Sequence, residues 1–330
     1  MRAAVHEGNG LRFRADVADV LPGPGEALVR TAWAGICGSD LHRLRSQAAP
    51  NRILGHECTG IVLECVDGSF VAGEPVVLKP LVGCGRCEWC AKGWVQHCKA
   101  QRTIGKEVSG GFGELVAIPV ANMHRLPSQE HMLVGTLVDL VAVAIHAIAR
   151  VPIALAGKHV VVIGDGPMGA VTAVVAKLHG AEVRLVGRHP EVAKCVSEIP
   201  FENVGLYENG EDADVCFETV GREQTGTLAL AVARTKPRGA IAVLGVYPQG
   251  YRMALDAYGA FKKELQILGV NSFDCAAKGD GEFEQGLQTV VDHRASFEAL
   301  VTHRFPVERC GEALEAFRGK QGALKVVMGF

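Results

Sequence analysis

A short apolar run in the middle of the chain leads directly into a glycine-rich turn. The run Val160–Ile163 precedes a G-x-G-x-x-G pattern, and an apolar stretch with helical character follows. In this pattern the first glycine permits a tight turn, the second lets the backbone approach a pyrophosphate, and the third allows close helix–strand packing. Unpaired N–H groups at the start of the helix then attract phosphate oxygens. The pattern predicts a bound dinucleotide held by the turn residues Gly164, Gly166, Pro167, Met168 and Gly169.

Strand-like and helix-like segments alternate from this turn onward. Strands that alternate with helices indicate a parallel sheet with right-handed crossovers. The predicted strands are Val160–Ile163, Val183–Val186, Val215–Phe217, Ala240–Leu244 and Leu265–Gly269, and the predicted helices are Met168–His179 and Pro190–Ile199.

The segments on either side of this region have other patterns. Residues 1 to about 128 contain short alternating runs separated by Pro and Gly, which indicates a β-rich fold. A long apolar helix is predicted over Leu133–Arg150, before Pro152. The remainder is predicted to form two helices, Glu282–His293 and Cys310–Arg318, and a last strand at Leu324–Met328. With 330 residues and roughly 150 per domain, two domains are expected.

The composition argues against several classes of protein. The chain has 34 basic and 36 acidic residues, and this near balance gives no support to nucleic-acid binding. The most apolar segment, residues 138–157, is interrupted by charged residues and a proline, so a transmembrane helix is not expected. The first ten residues lack the apolar run of a signal peptide. We therefore expect a cytoplasmic protein whose 11 cysteines remain reduced.

Four of these cysteines form a compact motif, C-x2-C-x2-C-x7-C. Four thiolates make a closed tetrahedral set of soft ligands, which is typical of structural Zn²⁺. An iron–sulfur cluster uses similar ligands, but the spacing of the fourth cysteine differs from the usual runs. The motif therefore predicts a structural zinc bound by Cys84, Cys87, Cys90 and Cys98.

A second metal site is indicated by Cys37 and His56, one thiolate and one imidazole from separate loops. The neighbouring carboxylates Asp40 and Glu57 are suited to orient a ligating imidazole. Ser39 and His42 carry exchangeable protons three residues apart, as a proton relay requires. Two ligands leave the set incomplete, so the third must come from elsewhere.

The end of the second predicted parallel strand bears on which dinucleotide binds. An acid that accepts the ribose hydroxyls is expected about 20 residues beyond the glycine turn. Gly187 stands there instead, followed by Arg188 and His189. A missing carboxylate and an adjacent guanidinium favour the 2′-phosphate of NADP(H). The alternative is a solvated arginine with NAD(H) bound by other contacts, with Glu191 as a substitute acid.

The order GICGSDLH, GHE, four-cysteine motif and glycine turn resembles the medium-chain zinc-dependent alcohol dehydrogenases, most closely the polyol and threonine dehydrogenase-like branch. The resemblance implies a Rossmann domain, a doubly wound parallel sheet, inserted into a β-rich, partly open-barrel (GroES-like) catalytic domain. The expected segments are residues 1–138, 139–273 and 274–330, with the Rossmann domain in the middle. It also implies a dimer or tetramer that forms through the sheet edge near residues 265–271.

The resemblance assigns further roles. It implies that Cys37 and His56 bind a catalytic zinc, with Asp139 as the third ligand and Glu57 as the exchangeable alternative. Ser39 would pass the substrate proton through the cofactor ribose to His42, while Asp40 would support His56. Further cofactor contacts are implied for Thr219, Leu244, Gly245, Val246 and Lys325, the last with a plain surface lysine as its alternative.

The expected activity is reversible NAD(P)-linked oxidation of a secondary alcohol to a ketone. The substrate could be a polyol, an amino-polyol or a sugar-like alcohol. The alternatives are a zinc-independent quinone or enoyl reductase of the same superfamily and a non-catalytic NADP(H)-binding protein. Cys37 and His56 argue against the reductase, because such relatives lack those ligands.

Overall fold

A computed structural model describes residues 1–45, 52–204, 213–221, 226–252, 254–276, 281–319 and 322–330. The chain divides into two compact units. One combines Met1–Asp139 with Asp274–Phe330, and the other is Leu140–Phe273. Each unit has its own buried apolar core.

The segment before the glycine turn is β-rich. Its strands are β1 (Ala3–Glu7), β2 (Gly10–Arg14), β3 (Glu26–Gly35), β4 (Glu57–Cys65), β5 (Pro75–Leu78), β6 (Leu81–Val82), β7 (Arg102–Thr103), β8 (Leu115–Pro119) and β9 (Met123–Arg125). Its helices are α1 (Gly38–Arg45), α2 (Glu88–Ala91), α3 (Met132–Gly135) and α4 (Val138–Arg150).

The middle segment alternates strands and helices. Its elements are β10 (His159–Ile163), α5 (Pro167–Leu178), β11 (Glu182–Gly187), β12 (Phe201–Asn203), β13 (Ala213–Glu218), α6 (Gly226–Arg234), β14 (Thr235–Val243), α7 (Ala257–Lys262) and β15 (Gln266–Gly269). The last segment contains α8 (Glu282–Asp292), α9 (Arg294–Glu298), β16 (Val301–Pro306), α10 (Cys310–Gly319) and β17 (Lys325–Gly329).

The middle segment forms one parallel sheet in the order β12-β11-β10-β13-β14-β15. This is the Rossmann order, in which the chain moves outward from the central strand in both directions. The central strand β10 is buried at four of its five positions, as expected for a strand covered on both faces. The predicted doubly wound α/β fold is confirmed.

The other unit contains a seven-stranded sheet of order β16-β17-β3-β4-β5-β9, with β8 also paired to β3. Strand β3 is long and carries mostly alternating buried positions, so one face of the sheet covers the core. Strand β17 joins the sheet antiparallel to β3, with Val327 opposite Gly35. The C-terminal segment therefore completes the β-rich unit, and the predicted GroES-like fold is confirmed.

Two predicted helices are wrong in their extent. The helix expected over Leu133–Arg150 is interrupted between α3 and α4, where the Thr136 hydroxyl donates to the Leu133 carbonyl and Leu137 N–H bonds to Val134. A hydroxyl that competes for a backbone carbonyl favours such a tightened turn. The helix expected over Pro190–Ile199 is a short 3-10 helix, Pro190–Lys194, followed by turns.

No single helix among the described residues has the length and apolar character needed to cross a membrane. The bent pair Gln129–Gly135 and Val138–Arg150 meets those two criteria only when its members are taken together.

An ion pair between a buried guanidinium and a partly exposed carboxylate ties helix α6 to strand β12. The Arg234 side chain is 2% exposed and its Nη1 lies 2.8 Å from Glu202 Oε1. A second guanidinium nitrogen lies 3.4 Å from the other carboxylate oxygen, so the pair is bidentate. A buried guanidinium without its partner carries a large desolvation penalty.

We expect Glu202→Gln to lower the free energy of unfolding by about 2 kcal/mol, because the buried Arg234 guanidinium would keep its charge and lose the bidentate carboxylate of Glu202. The matched control is Glu198→Gln, which removes an exposed ion pair with Lys177 and should cost less than about 0.5 kcal/mol. Urea denaturation followed by circular dichroism measures both. Equal effects of the two substitutions would contradict the buried-pair interpretation.

Candidate metal centres and dinucleotide turn

The pairing of β3 with β4 brings the first set of predicted ligands together. Gly35, at the end of β3, lies opposite Glu57, the first residue of β4. Cys37 follows β3 and His56 precedes β4, so both residues lie at the same end of this antiparallel strand pair. The ligand atoms of Cys37, His56 and Glu57 all lie within 4.8 Å of one another.

Charged neighbours surround the His56 ring. Its Nδ1 lies 3.6 Å from Asp40 Oδ1 and 3.5 Å from Arg43 Nη1. The other Asp40 oxygen accepts the Cys37 backbone N–H at 2.9 Å. Burial opposes the charge on His56, but the Cys37 thiolate and Asp40 raise its pKa well above the usual value. Burial likewise opposes ionisation of Asp40, while His56 and Arg43 keep its pKa low.

Glu57 has a second partner that sequence reasoning did not anticipate. Lys325, at the start of β17, is fully buried and its Nζ contacts Glu57 Oε2 and the Ile36 carbonyl. The surface-lysine alternative is therefore wrong, and a cofactor contact by Lys325 remains a prediction. The other carboxylate oxygen, Glu57 Oε1, is buried and has no hydrogen-bond partner. One oxygen of Glu57 is thus neutralised and the other is available to a cation.

Asp139 does not join this set of ligand atoms. It is the second residue of α4 and is partly buried. Its pKa is raised to about 6, mainly by burial, with Glu57 adding to the rise and His56 and Lys325 opposing it. Among the described residues, the set within 4.8 Å contains Glu57 in place of Asp139. The geometry therefore favours the exchangeable alternative over Asp139 as the third ligand.

The two predicted relay residues lie on α1. Ser39 Oγ is buried and has no hydrogen-bond partner in the described part of the chain. His42, one turn further on, is exposed. Their spacing of three places both on one side of the helix. A buried hydroxyl followed by an exposed imidazole is the arrangement that a proton path to solvent needs.

The donor set at Cys37 fits zinc. Thiolate, imidazole and carboxylate are its usual ligands, and a three-residue set leaves a fourth position open. The unpartnered buried oxygen of Glu57 also supports a metal site here, because a buried carboxylate oxygen normally has a hydrogen-bond or metal partner.

The four-cysteine motif forms a second candidate metal centre. The Sγ atoms of the four residues lie within 4.8 Å of one another, in a lobe that contains α2. Backbone N–H groups of Arg86 and Cys87 lower the Cys84 pKa to about 6, whereas burial raises the Cys90 pKa to about 12. Four convergent thiols form a closed set that fits structural zinc.

The glycine turn joins β10 to α5 as predicted. Gly166 is the N-cap of α5, and Pro167 and Met168 begin the helix. Any side chain at Gly169 would collide with the Gly164 carbonyl, so the third glycine is required for packing. Thr219, after β13, donates its hydroxyl to the Ile163 carbonyl at 2.9 Å. The turn and the Thr219 loop therefore lie side by side at the carboxyl ends of the strands.

The loop after β14 is held by a carboxylate that the sequence did not single out. Leu244 and Gly245 donate their N–H groups to the Glu218 carbonyl at 2.8 and 3.1 Å. The fully buried Glu218 side chain accepts from Val220 N–H and from the Tyr247 hydroxyl. Val246 is mostly exposed. Glu218 thus fixes the two loops that carry the predicted cofactor residues.

A second carboxylate that the sequence did not single out, Asp165 of the glycine turn, contacts the residues that follow β11. Gly187 is buried, Arg188 is exposed, and His189 is half-buried. Asp165, the first variable position of the glycine turn, accepts the backbone N–H groups of Arg188 and His189, both at 2.6 Å. The only sequence signal for this contact was a charged residue inside the turn together with a glycine at the strand end.

Comparison with known proteins agrees with this architecture. Residues 23–128 match the alcohol dehydrogenase GroES-like domain. An L-threonine 3-dehydrogenase from Pyrococcus horikoshii is 30% identical over 91% of this chain and 90% of its own length. A 2-dehydro-3-deoxy-L-galactonate 5-dehydrogenase from Pseudoalteromonas atlantica is 25% identical, with 99% and 98% covered.

A solved structure extends the agreement to the whole fold. The alcohol dehydrogenase of Thermus sp. ATN1 superimposes with a TM-score of 0.84 at 26% identity, covering 100% of this chain and 99% of that one. The fold of this chain is therefore shared with that dehydrogenase over nearly the full length of both chains. The chain belongs to the medium-chain zinc-dependent alcohol dehydrogenase family.

Proposed function

We propose that this chain catalyses the reversible oxidation of a secondary alcohol, of polyol, amino-polyol or sugar-like type, to a ketone with NAD(P). The observation that carries the proposal is the convergence of Cys37, His56 and Glu57, with one buried Glu57 oxygen unpartnered. The relatives named above act, by their names, on threonine and on a sugar acid, both of which carry a secondary alcohol.

Each residue of the site has a distinct task in this reaction. Cys37, His56 and Glu57 would hold a zinc ion, which supplies Lewis-acid chemistry that favours loss of a hydroxyl proton. Asp40 orients the His56 ring from its far side. Ser39 Oγ accepts the substrate proton and His42 releases it to solvent. A bound nicotinamide would supply the acceptor for the hydride that the carbinol carbon loses.

Glu57 rather than Asp139 is proposed as the third zinc ligand. Lys325 contacts one oxygen of the Glu57 carboxylate and leaves the other unpartnered, and a Glu57 oxygen lies within 4.8 Å of the ligand atoms of Cys37 and His56. Asp139 would then remain a neighbour that acts through water. Its raised pKa, about 6, comes mainly from burial, with a smaller contribution from the neighbouring Glu57.

Two zinc ions per chain and a preference for NADP(H) complete the proposed cofactor set. The closed four-cysteine centre supports a structural ion in addition to the one at Cys37. Gly187 and the exposed Arg188 support recognition of a 2′-phosphate. Free thiols at all 11 cysteines suit a reducing compartment such as the cytoplasm.

A homodimer or homotetramer is proposed through the edge strand β15. This strand is the last in its sheet, and its N–H and C=O groups on the outer side are unpaired within the described sheet. Ile267 on β15 and Tyr258 and Phe261 on α7 are exposed apolar side chains. An exposed apolar sheet edge favours pairing with a second copy.

Replacing Cys37 by Ala tests the function. Purified protein should contain two zinc equivalents by mass spectrometry and oxidise members of a secondary-alcohol panel with NADP⁺. Cys37→Ala should contain one equivalent and lose activity by about 10³-fold or more, because several kcal/mol of charge stabilisation disappear. Cys65→Ala is the control, since Cys65 belongs to neither cysteine set. Full activity of Cys37→Ala would refute the proposal.

A paired substitution identifies the third ligand. Glu57→Gln should lower zinc affinity by about 10- to 100-fold or more, since it removes a charged ligand and strands Lys325 without its counter-ion. Asp139→Asn should leave zinc content at two equivalents. Competition with a chromophoric chelator measures both affinities. The reverse order of effects would restore Asp139 as the ligand.

Light scattering during size-exclusion chromatography measures the oligomer. We expect twice or four times the chain mass of 35.0 kDa. Phe261→Lys should shift the protein toward monomer, because a charge would be buried at the edge. Val66→Lys, at an exposed residue of the other unit, is the control. A monomeric native protein would contradict the assembly.

A further inference from the structure

The side chain of Asp165 occupies the space beside Gly187. Its carboxylate accepts the N–H groups of Arg188 and His189 at 2.6 Å each, and His189 Nδ1 lies 2.9 Å from the same oxygen. A Cβ atom placed on Gly187 would lie 2.5 Å from Asp165 Oδ2. Asp165 and a larger residue at position 187 therefore exclude one another.

We propose that Asp165 is the positioning residue that sets the preference for NADP(H), because it holds the backbone from which Arg188 reaches the 2′-phosphate. This inference rests on the cofactor preference within the proposed function. Asp165 acts through Arg188 and does not itself touch the phosphate.

The contacts of Asp165 explain why it does not replace the missing ribose acid. An acid at the end of this strand recognises NAD(H) by accepting hydrogen bonds from the ribose hydroxyls. The Oδ2 atom of Asp165 already receives three donors, and the residue is buried. Its hydrogen-bonding capacity on that side is used within the protein, so the ribose would have to displace internal bonds.

The charge of Asp165 is also compensated locally. Because a carboxylate only accepts hydrogen bonds, His189 Nδ1 must donate to it, and two backbone dipoles point at the same oxygen. The negative charge of Asp165 is therefore already compensated by three hydrogen-bond donors when a 2′-phosphate approaches Arg188. A free carboxylate at position 187 would instead repel the phosphate.

Arg188 is left available by this arrangement. Its side chain is exposed, and its guanidinium has no ion pair or hydrogen bond to any other residue in the described ranges. Its backbone N–H is fixed by Asp165, so the side chain starts from a defined point. A preorganised guanidinium gives a phosphate charge-assisted bonds at a smaller entropic cost.

The test measures binding without any turnover. Isothermal titration calorimetry gives the affinities of adenosine 2′,5′-bisphosphate and of 5′-AMP for the full-length, zinc-loaded protein. Native protein should bind the bisphosphate at least tenfold more tightly. Asp165→Ala and Arg188→Ala should each reduce that ratio about tenfold and leave 5′-AMP affinity within twofold.

A double substitution isolates the proposed route of action. Asp165→Ala combined with Arg188→Ala should lower the bisphosphate affinity no further than Arg188→Ala alone, since Asp165 acts through Arg188. Lys158→Ala is the charge control; Lys158 precedes β10, at the opposite ends of the strands, and its loss should leave the ratio unchanged.

Moving the carboxylate from position 165 to position 187 provides an independent test. Gly187→Asp alone should destabilise the protein, because its side chain would overlap Asp165. Gly187→Asp with Asp165→Gly should restore the melting temperature and reverse the preference toward 5′-AMP and NAD⁺.

The outcomes separate the two proposals. A native protein that binds 5′-AMP as tightly as the bisphosphate would refute the NADP(H) preference itself. A native preference that survives in Asp165→Ala would overturn only the role of Asp165. Equal weakening of both ligands in Asp165→Ala would also overturn it, because a merely structural residue gives that pattern.

Discussion

The antiparallel pairing of β3 with β4 is the constraint on which the candidate catalytic centre depends. It sets Gly35 opposite Glu57 and thereby brings Cys37 beside His56, although these two residues are 19 positions apart in the chain. Helix α1 then starts directly after β3 and turns Asp40 back toward Cys37 N–H and His56. A shift of register by one residue would turn the strand's side chains to the opposite face and separate the ligands.

Electrostatics in this centre depends on opposite charges held out of water. Glu57 and Lys325 are both fully buried, and His56 and Asp40 are buried beside them. Burial makes each charge costly, and the opposite charges that face one another offset part of that cost. The raised pKa of Asp139, about 6, shows how the same environment treats a carboxyl group that is less well compensated. Zinc would add positive charge to a site that already contains three acids.

The sequence was sufficient to predict the two folds, the four-cysteine set, the Cys37–His56 pair and the glycine turn. Each of these predictions depended on patterns that can be read along the chain: the spacing of a motif, the residues that flank it, or the order in which motifs follow one another. The third zinc ligand could not be predicted in this way. Asp139 was expected because its position along the chain matches that of a ligand in the family, whereas Glu57 is proposed because it lies within 4.8 Å of Cys37 and His56. The contacts of Lys325 with Glu57 and of Asp165 with Arg188 and His189 were missed, because the first joins residues far apart in sequence and the second starts from a variable position of the glycine motif. The break at Thr136 was missed because apolar periodicity continues across it.

The contact between Glu57 and Lys325 joins residues that are 268 positions apart. All of the parallel-sheet unit lies between them in the chain. The charge of Glu57 therefore has no counter-ion until β17 has added to the edge of β3, which makes this one of the most non-local contacts that the fold must form. The pairing of β3 with β4 would bring the Cys37, His56 and Glu57 side chains together early, whereas Lys325 would reach Glu57 only after the inserted unit has been synthesised. Before β17 is added, both oxygens of the Glu57 carboxylate would be free of Lys325, so a metal ion captured early would meet a charge that Lys325 later shares.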